Sequence, residues 1–114
     1  MKPIIRFKLQ LAVGGACLSA GLLLTQAAPP ADGSAVYKQR CVMCHKSDGK
    51  GFPALKTPDF TDPKWQASKK DAELAEVIKS GKKGTPMPAF AEKLKDDEIA
   101  AVVAFVRSFS SAKK

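Results

Sequence analysis

The sequence predicts a small all-helical domain folded around something at its centre. Three observations lead there. Two stretches space their apolar residues three and four apart, and no run of useful length alternates apolar with polar residues. The portion that can fold is also short enough that a core made only of side chains would be marginal, so a bound apolar group would complete the interior.

The elements follow in order. Asp32-Gly33-Ser34 opens a helix running to about Arg40, with Val36 and Tyr37 facing inward. From Ser47 to Asp59 or beyond, Gly49, Gly51, Pro53 and Pro58 predict a loop without regular structure. Ser68-Lys69-Lys70-Asp71 resembles a capping box, and the helix after it shows an apolar face of Leu74, Val77 and Ile78 before stopping at Gly81. Gly84 to Phe90 reads as a second loop. The last helix opens with Asp96, Asp97 and Glu98, acids suited to the positive end of a helix, and carries Ile99, Val102, Val103 and Val106 on one face. Phe105 and Phe109 lie beside that face. Three main helices and loops are expected.

The start of the chain is a different matter. Lys2, Arg6 and Lys8 come first, without an acid among them. An uncharged, mostly apolar run follows from Leu9 to Gln26, and then small residues and prolines at Ala27, Ala28, Pro29 and Pro30. This is the layout of a secretory signal peptide over residues 1–27, with cleavage expected after Ala27. The alternative is an uncleaved membrane anchor, because the apolar run is just long enough to span a bilayer. Cys17 sits inside that run with Leu22, Leu23 and Leu24 beyond it, which argues against a lipoprotein cut. Export places the folded portion, residues 28–114, in the periplasm, membrane-bound only if the leader stays attached.

Charge narrows the partners. There are 19 Lys and Arg against 11 Asp and Glu, and the body stays basic once the leader is gone. Arg40 and Arg107 are its two arginines, and no stripe of arginine and aromatic residues is present, so nucleic acid is not the expected partner. A basic monomer that meets acidic surfaces on redox proteins fits better.

Cys41-Val42-Met43-Cys44-His45 is the decisive segment, because a C-x-x-C-H run reads as covalent c-type haem attachment. Two thiols three positions apart can add to the two vinyl groups of one porphyrin, and the following imidazole is carried beneath the iron. A redox dithiol would need strand–helix alternation, which is lacking. A structural zinc site usually needs four ligands, whereas the body offers Cys41, Cys44 and His45, its sole histidine.

The partner on the other face of the iron sets the use of a haem. Histidine is excluded by count. Met1 leaves with the leader, and Met43 lies inside the attachment segment, so Met87 is the remaining thioether. Pro86 and Pro88 bracket it and stiffen its loop. His45 and Met87 together would fill both axial positions, raise the reduction potential relative to two histidines, and leave no room for substrate. That suits an electron carrier rather than an enzyme.

With these residues in view, the body from Asp32 to Phe109 resembles a bacterial class I cytochrome c, the small all-α cytochrome c fold around one haem c attached through Cys41 and Cys44. The resemblance implies a close crossing of the first and last helices at Gly33 and Tyr37 against Val102 and Phe105. It implies that the Pro53 carbonyl accepts a hydrogen bond from the other ring nitrogen of His45, and that Leu55 packs on the haem. Trp65 would reach a haem propionate or serve as plain core. Lys46, Lys50, Lys56, Lys82 and Lys83 are expected to ring the exposed haem edge and steer docking. The function expected is transfer of single electrons between periplasmic or membrane redox partners. The competing readings are a peroxidase-like or gas-binding haem protein with a labile distal ligand, and a haem subunit of a larger oxidoreductase.

Overall fold

The computed structural model describes residues 30–111 and, ahead of them, residues 12, 14–16 and 21–24. The expected leader cut after Ala27 and Cys17 lie outside the described residues. Among the described residues no helix is long and apolar enough to cross a membrane.

Five helices make the described domain, with no strand among them: α1 (Gly33–Arg40), α2 (Val42–His45), α3 (Pro63–Ser68), α4 (Asp71–Ser80) and α5 (Asp96–Ser111). A 3-10 turn, Pro53–Leu55, interrupts the loop between α2 and α3.

Local chemistry sets the helix starts. The Asp32 carboxylate accepts hydrogen bonds from the Ser34 and Ala35 N–H groups at 3.0 and 3.2 Å, satisfying donors left over at the start of α1. Asp62 does the same for Lys64 at 2.9 Å, and Pro63 sits in the first turn, where its missing N–H costs nothing. The capping residue of α4 differs from the sequence expectation. Ser68 closes α3, its hydroxyl donating to the Trp65 carbonyl at 2.7 Å. Lys70 is the residue ahead of α4, and its N–H donates to the Glu73 carboxylate at 2.8 Å. The register is two residues later than Ser68–Asp71 because Lys-x-x-Glu overlaps it and puts the longer carboxylate in reach.

The core forms where α1 crosses α5. Tyr37, Ile99 and Val102 are each 1% exposed, with Val36, Val103 and Val106 buried around them. Burying a side chain such as Ile99 contributes about 2 kcal/mol. Gly33 is what allows the crossing: a Cβ there would overlap the Ala101 carbonyl. Tyr37 packs its ring 5.0 Å from Phe105 and 5.3 Å from Phe109. The close helix crossing inferred from Gly33 and Tyr37 is thus present.

A second tie joins the far end of α5 to α3 and α4. Gln66, a buried polar residue, donates from its amide nitrogen to the Phe60 carbonyl at 2.8 Å and the Val106 carbonyl at 2.9 Å. Arg107 donates to the Gln66 side-chain oxygen at 2.9 Å, to the Gln66 carbonyl at 2.7 Å, to the Asp71 carboxylate at 2.8 Å and to the Lys69 carbonyl. One guanidinium therefore fixes three helices.

Candidate functional site

One cavity of about 580 Å³ lies between α1, α4, α5 and the two long loops. That is within the usual size for a small-molecule or cofactor site. Leu74, Val77 and Ile78 of α4 turn their apolar face into it, opposite Val102, Val103 and Val106 of α5. The α4 face is only partly buried because it borders the cavity, while Ile78 also packs against the core.

Cys41, Cys44 and His45 line the same cavity. Cys41 ends α1, its N–H donating to the Tyr37 carbonyl at 2.9 Å, and α2 then carries Cys44 and His45 on one turn. Burial, and secondarily the neighbouring Cys44, push the Cys41 thiol up to about 11. Reactive dithiols hold a lowered thiol pKa, so this environment does not suit dithiol exchange.

His45 is held from several sides. Its ring stacks on Phe60, with centroids 4.7 Å apart and planes 19° apart. Beneath it the Tyr37 hydroxyl donates to the Lys46 carbonyl at 2.8 Å and, more weakly, lies 3.4 Å from the His45 carbonyl. Burial, with smaller contributions from Cys41 and Asp48, drives the Tyr37 pKa well above its ordinary value, so the hydroxyl stays protonated as a donor. Desolvation lowers the His45 pKa below its ordinary 6.5 and favours the neutral ring that a metal needs.

The residue following His45 is strained. Lys46 adopts φ 63° and ψ 159°, a backbone region that is essentially glycine's own. Its ammonium rests 5.4 Å from the Phe52 ring centre and 3.9 Å from the Asp48 carboxylate.

Met87 lines the cavity as well, from the loop after α4. That loop is fixed through its backbone. The Phe90 and Ala91 N–H groups donate to the Ile78 and Lys79 carbonyls at 2.9 and 3.2 Å, and the Lys82 N–H donates to the Met87 carbonyl at 3.3 Å. Gly81, at φ 74°, turns the chain where a Cβ would press on the Met87 carbonyl and Ala89 nitrogen at 2.9 Å. The prolines on either side add stiffness.

Leu55 and Trp65 also border the cavity, Trp65 with its ring 5.0 Å from that of Phe60. Pro53 does not. Its carbonyl accepts from the Lys56 N–H at 3.0 Å within the 3-10 turn, and the buried His45 Nδ1 has no hydrogen-bond partner among the described residues. The bond expected between Pro53 and His45 is therefore not made here. The cavity-lining proline of this loop is Pro58, two residues ahead of the Phe60 that covers the imidazole. Of the lysines expected around the edge, Lys56 and Lys82 border the cavity, joined by Arg40 and Lys69. Lys46, Lys50 and Lys83 do not.

The donor set and the space suit a haem of the c type: paired thiols, a neutral imidazole with an orphaned buried nitrogen, a thioether and a mainly apolar enclosure. Fold and site define a small all-α c-type cytochrome domain, a class whose haem is covalently bound. The solved structure of the KustC0563 c-type cytochrome matches at a TM-score of 0.65 and 37% identity, over 68% of this chain and 96% of that one. The chain belongs to the family described as Cytochrome C oxidase, cbb3-type, subunit III, whose model matches residues 28–106.

Among curated relatives, the cbb3-type cytochrome c oxidase subunit FixP of Bradyrhizobium sp. (strain ORS 278) is 33% identical over 93 residues, covering 82% of this chain and 32% of its own length. The gluconate 2-dehydrogenase cytochrome c subunit of Pantoea cypripedii is 32% identical over 84 residues, covering 66% of this chain and 19% of its own. The chain thus spans about a third or less of the length of these relatives.

Proposed function

We propose that the domain carries single electrons through one haem c, joined by thioether bonds at Cys41 and Cys44 and ligated axially by His45 and Met87. The observation that carries this reading is the gathering of two thiols, an imidazole and a thioether on the wall of one largely apolar cavity. When bound, the haem iron supplies the one-electron couple. The protein's residues do the rest. Burial keeps His45 neutral and available as a donor. The backbone-anchored loop presents Met87 without a large ordering cost. The apolar faces of α4 and α5 exclude water, and Arg40, Lys56, Lys69 and Lys82 supply positive charge at the border for carboxylates on the cofactor or on a partner.

With both axial positions filled, the chain acts as a carrier and not as a peroxidase or gas sensor. Replacing Met87 with Ala tests this. The oxidised holoprotein is expected to lose its far-red sulfur-to-iron charge-transfer absorption and to bind carbon monoxide when reduced. If that absorption survives, or if the unaltered protein binds carbon monoxide rapidly near neutral pH, the reading fails.

A second reading has support of its own: the domain works within a larger oxidoreductase. The relatives are named as subunits of cbb3-type oxidase and of gluconate 2-dehydrogenase. Migration of the native protein on gel filtration as a free monomer would count against it. The basic and apolar start further supports delivery to the periplasm, and the intact mass of the mature protein tests cleavage after Ala27 and addition of one haem together.

A further inference from the structure

We infer that the loop from Lys46 to Lys56 is a docking patch for an acidic redox protein, with Phe52 as its apolar centre and Lys46, Lys50 and Lys56 as its charged rim. This rests on the reading that the domain carries electrons, and it names the surface through which they pass.

Backbone conformation first draws attention to the loop. Among the described residues, the non-glycine positions with positive φ are Lys46, at 63°, and Lys56, at 56°. Both are lysines, and they stand at the two ends of this one loop. Glycine would adopt either conformation without strain, so a lysine at each place marks a use for the side chain. The Lys46 ammonium is engaged only weakly: it lies 3.9 Å from the Asp48 carboxylate, and its side chain is 40% exposed. Over residues 46–56 three lysines face one acid, Asp48, which leaves the loop positive. A surface of carboxylates is its electrostatic complement.

The apolar part of the patch is held outward. Phe52 is 40% exposed, and Pro53 and Ala54 after it are exposed as well. Phe52 does not owe its exposure to a loose loop. Its N–H donates to the Thr57 hydroxyl oxygen, and its carbonyl accepts from that hydroxyl at 3.0 Å. The Lys46 ammonium rests 5.4 Å from its ring centre, so charge and aromatic surface are presented together. A ring fixed in this way loses little freedom when a partner covers it. The patch is also continuous with the cofactor site, because Leu55 and Lys56 at its end border the cavity. A partner seated on Phe52 therefore lies against the cavity wall without touching Cys41, Cys44, His45 or Met87. A small apolar centre with a charged rim suits brief encounters rather than a permanent joint.

The test uses the reduced, haem-loaded protein. Stopped-flow mixing follows its oxidation by an acidic blue-copper protein, with a neutral cobalt(III) complex as the reference oxidant. At low salt, Lys46→Gln should slow oxidation by the copper protein by about threefold to tenfold and lessen its salt dependence. Lys95→Gln removes the same charge from outside the loop and should alter the rate by less than about twofold. Lys46→Gly should melt at a higher temperature than the unaltered protein yet react as slowly as Lys46→Gln. Phe52→Ser should slow the reaction at high salt too, with the salt slope preserved. The cobalt complex should oxidise every variant as fast as the unaltered protein. Equal slowing by Lys46→Gln and Lys95→Gln would show that total charge alone steers, and would overturn the patch. A loss confined to Lys82→Gln would overturn it by placing the contact on the Met87 side. If Phe52→Ser does not fold, the comparison of Lys46 with Lys95 decides. An unaltered protein that the cobalt complex does not oxidise in a one-electron step would overturn the carrier reading itself.

Discussion

Gly33→Ala adds one methyl group at the tightest point of the fold. The new Cβ would overlap the Ala101 carbonyl and stand 3.1 Å from the Val102 nitrogen, both backbone atoms of α5. No rotamer change relieves that overlap, so α1 and α5 must part by on the order of an ångström, and a gap of that size forfeits roughly a quarter to a half of each van der Waals contact across the seam. The seam includes Tyr37 and Val102, each 1% exposed, and the Tyr37–Phe105 ring pair. Overpacking of this kind costs about 1–3 kcal/mol, and the upper part of the range applies because backbone opposes the intruding atom. Alanine's better helix propensity returns up to about 1 kcal/mol. The net expectation is about 2 kcal/mol of destabilisation, a fall of roughly 8–16 °C in melting temperature for a domain of this size. Thermal unfolding of the oxidised holoprotein, followed by far-ultraviolet circular dichroism, measures it. An unchanged or raised melting temperature would refute the claim that the α1–α5 crossing depends on the missing side chain.

Other expectations follow from the same structure. Tyr37 has a folded-state pKa raised above its ordinary 10.0, so the folded protein keeps a proton that the unfolded chain releases; the stability this gives is complete below pH 10 and declines as pH rises beyond it. Tyr37→Phe should flatten that alkaline decline in a series of unfolding curves while lowering stability near neutrality by about 1–2 kcal/mol through the lost bond to the Lys46 carbonyl. Lys46→Gly should raise stability by about 1 kcal/mol in denaturant titration, since relief of an unfavourable φ/ψ outweighs both the added chain entropy of glycine and the weak Asp48 contact. Electron transfer with an acidic redox protein should slow steeply as ionic strength rises, as stopped-flow mixing would report, and a flat response would remove the steering role of the border lysines.

Much of this architecture is legible in the sequence, for identifiable reasons. The apolar faces of α4 and α5 show because helical spacing repeats over several turns. The grouping of Cys41, Cys44 and His45 is dictated by one turn of chain, and Met87 stands out because few methionines compete with it. Features that depend on distant partners are less visible. Arg107 reaches residues 36 to 41 positions away, and nothing in its own surroundings announces that. The helix α3 carries a usable signal in Asp62-Pro63, an acceptor followed by a residue fitted to a first turn, but its short length leaves no periodic face to read. Pro53 and Pro58 sit in the same loop with similar credentials, and only the folded path shows that Pro58 borders the cavity. The shift of the α4 cap from Ser68 to Lys70 is a contest between overlapping patterns, decided by which carboxylate can reach back.

The backbone bonds that seat the Met87 loop have an evolutionary corollary. They involve main-chain groups of residues 78, 79, 82, 87, 90 and 91, which almost any amino acid can provide. The bend itself, around Gly84, meets nothing within 4 Å of where a side chain would begin. Mutation can therefore rewrite the outward chemistry of that bend, exchanging its lysines for other residues, while the backbone path that carries Met87 stays as it is. Surface chemistry and backbone path can drift at independent rates on adjoining positions of one short segment.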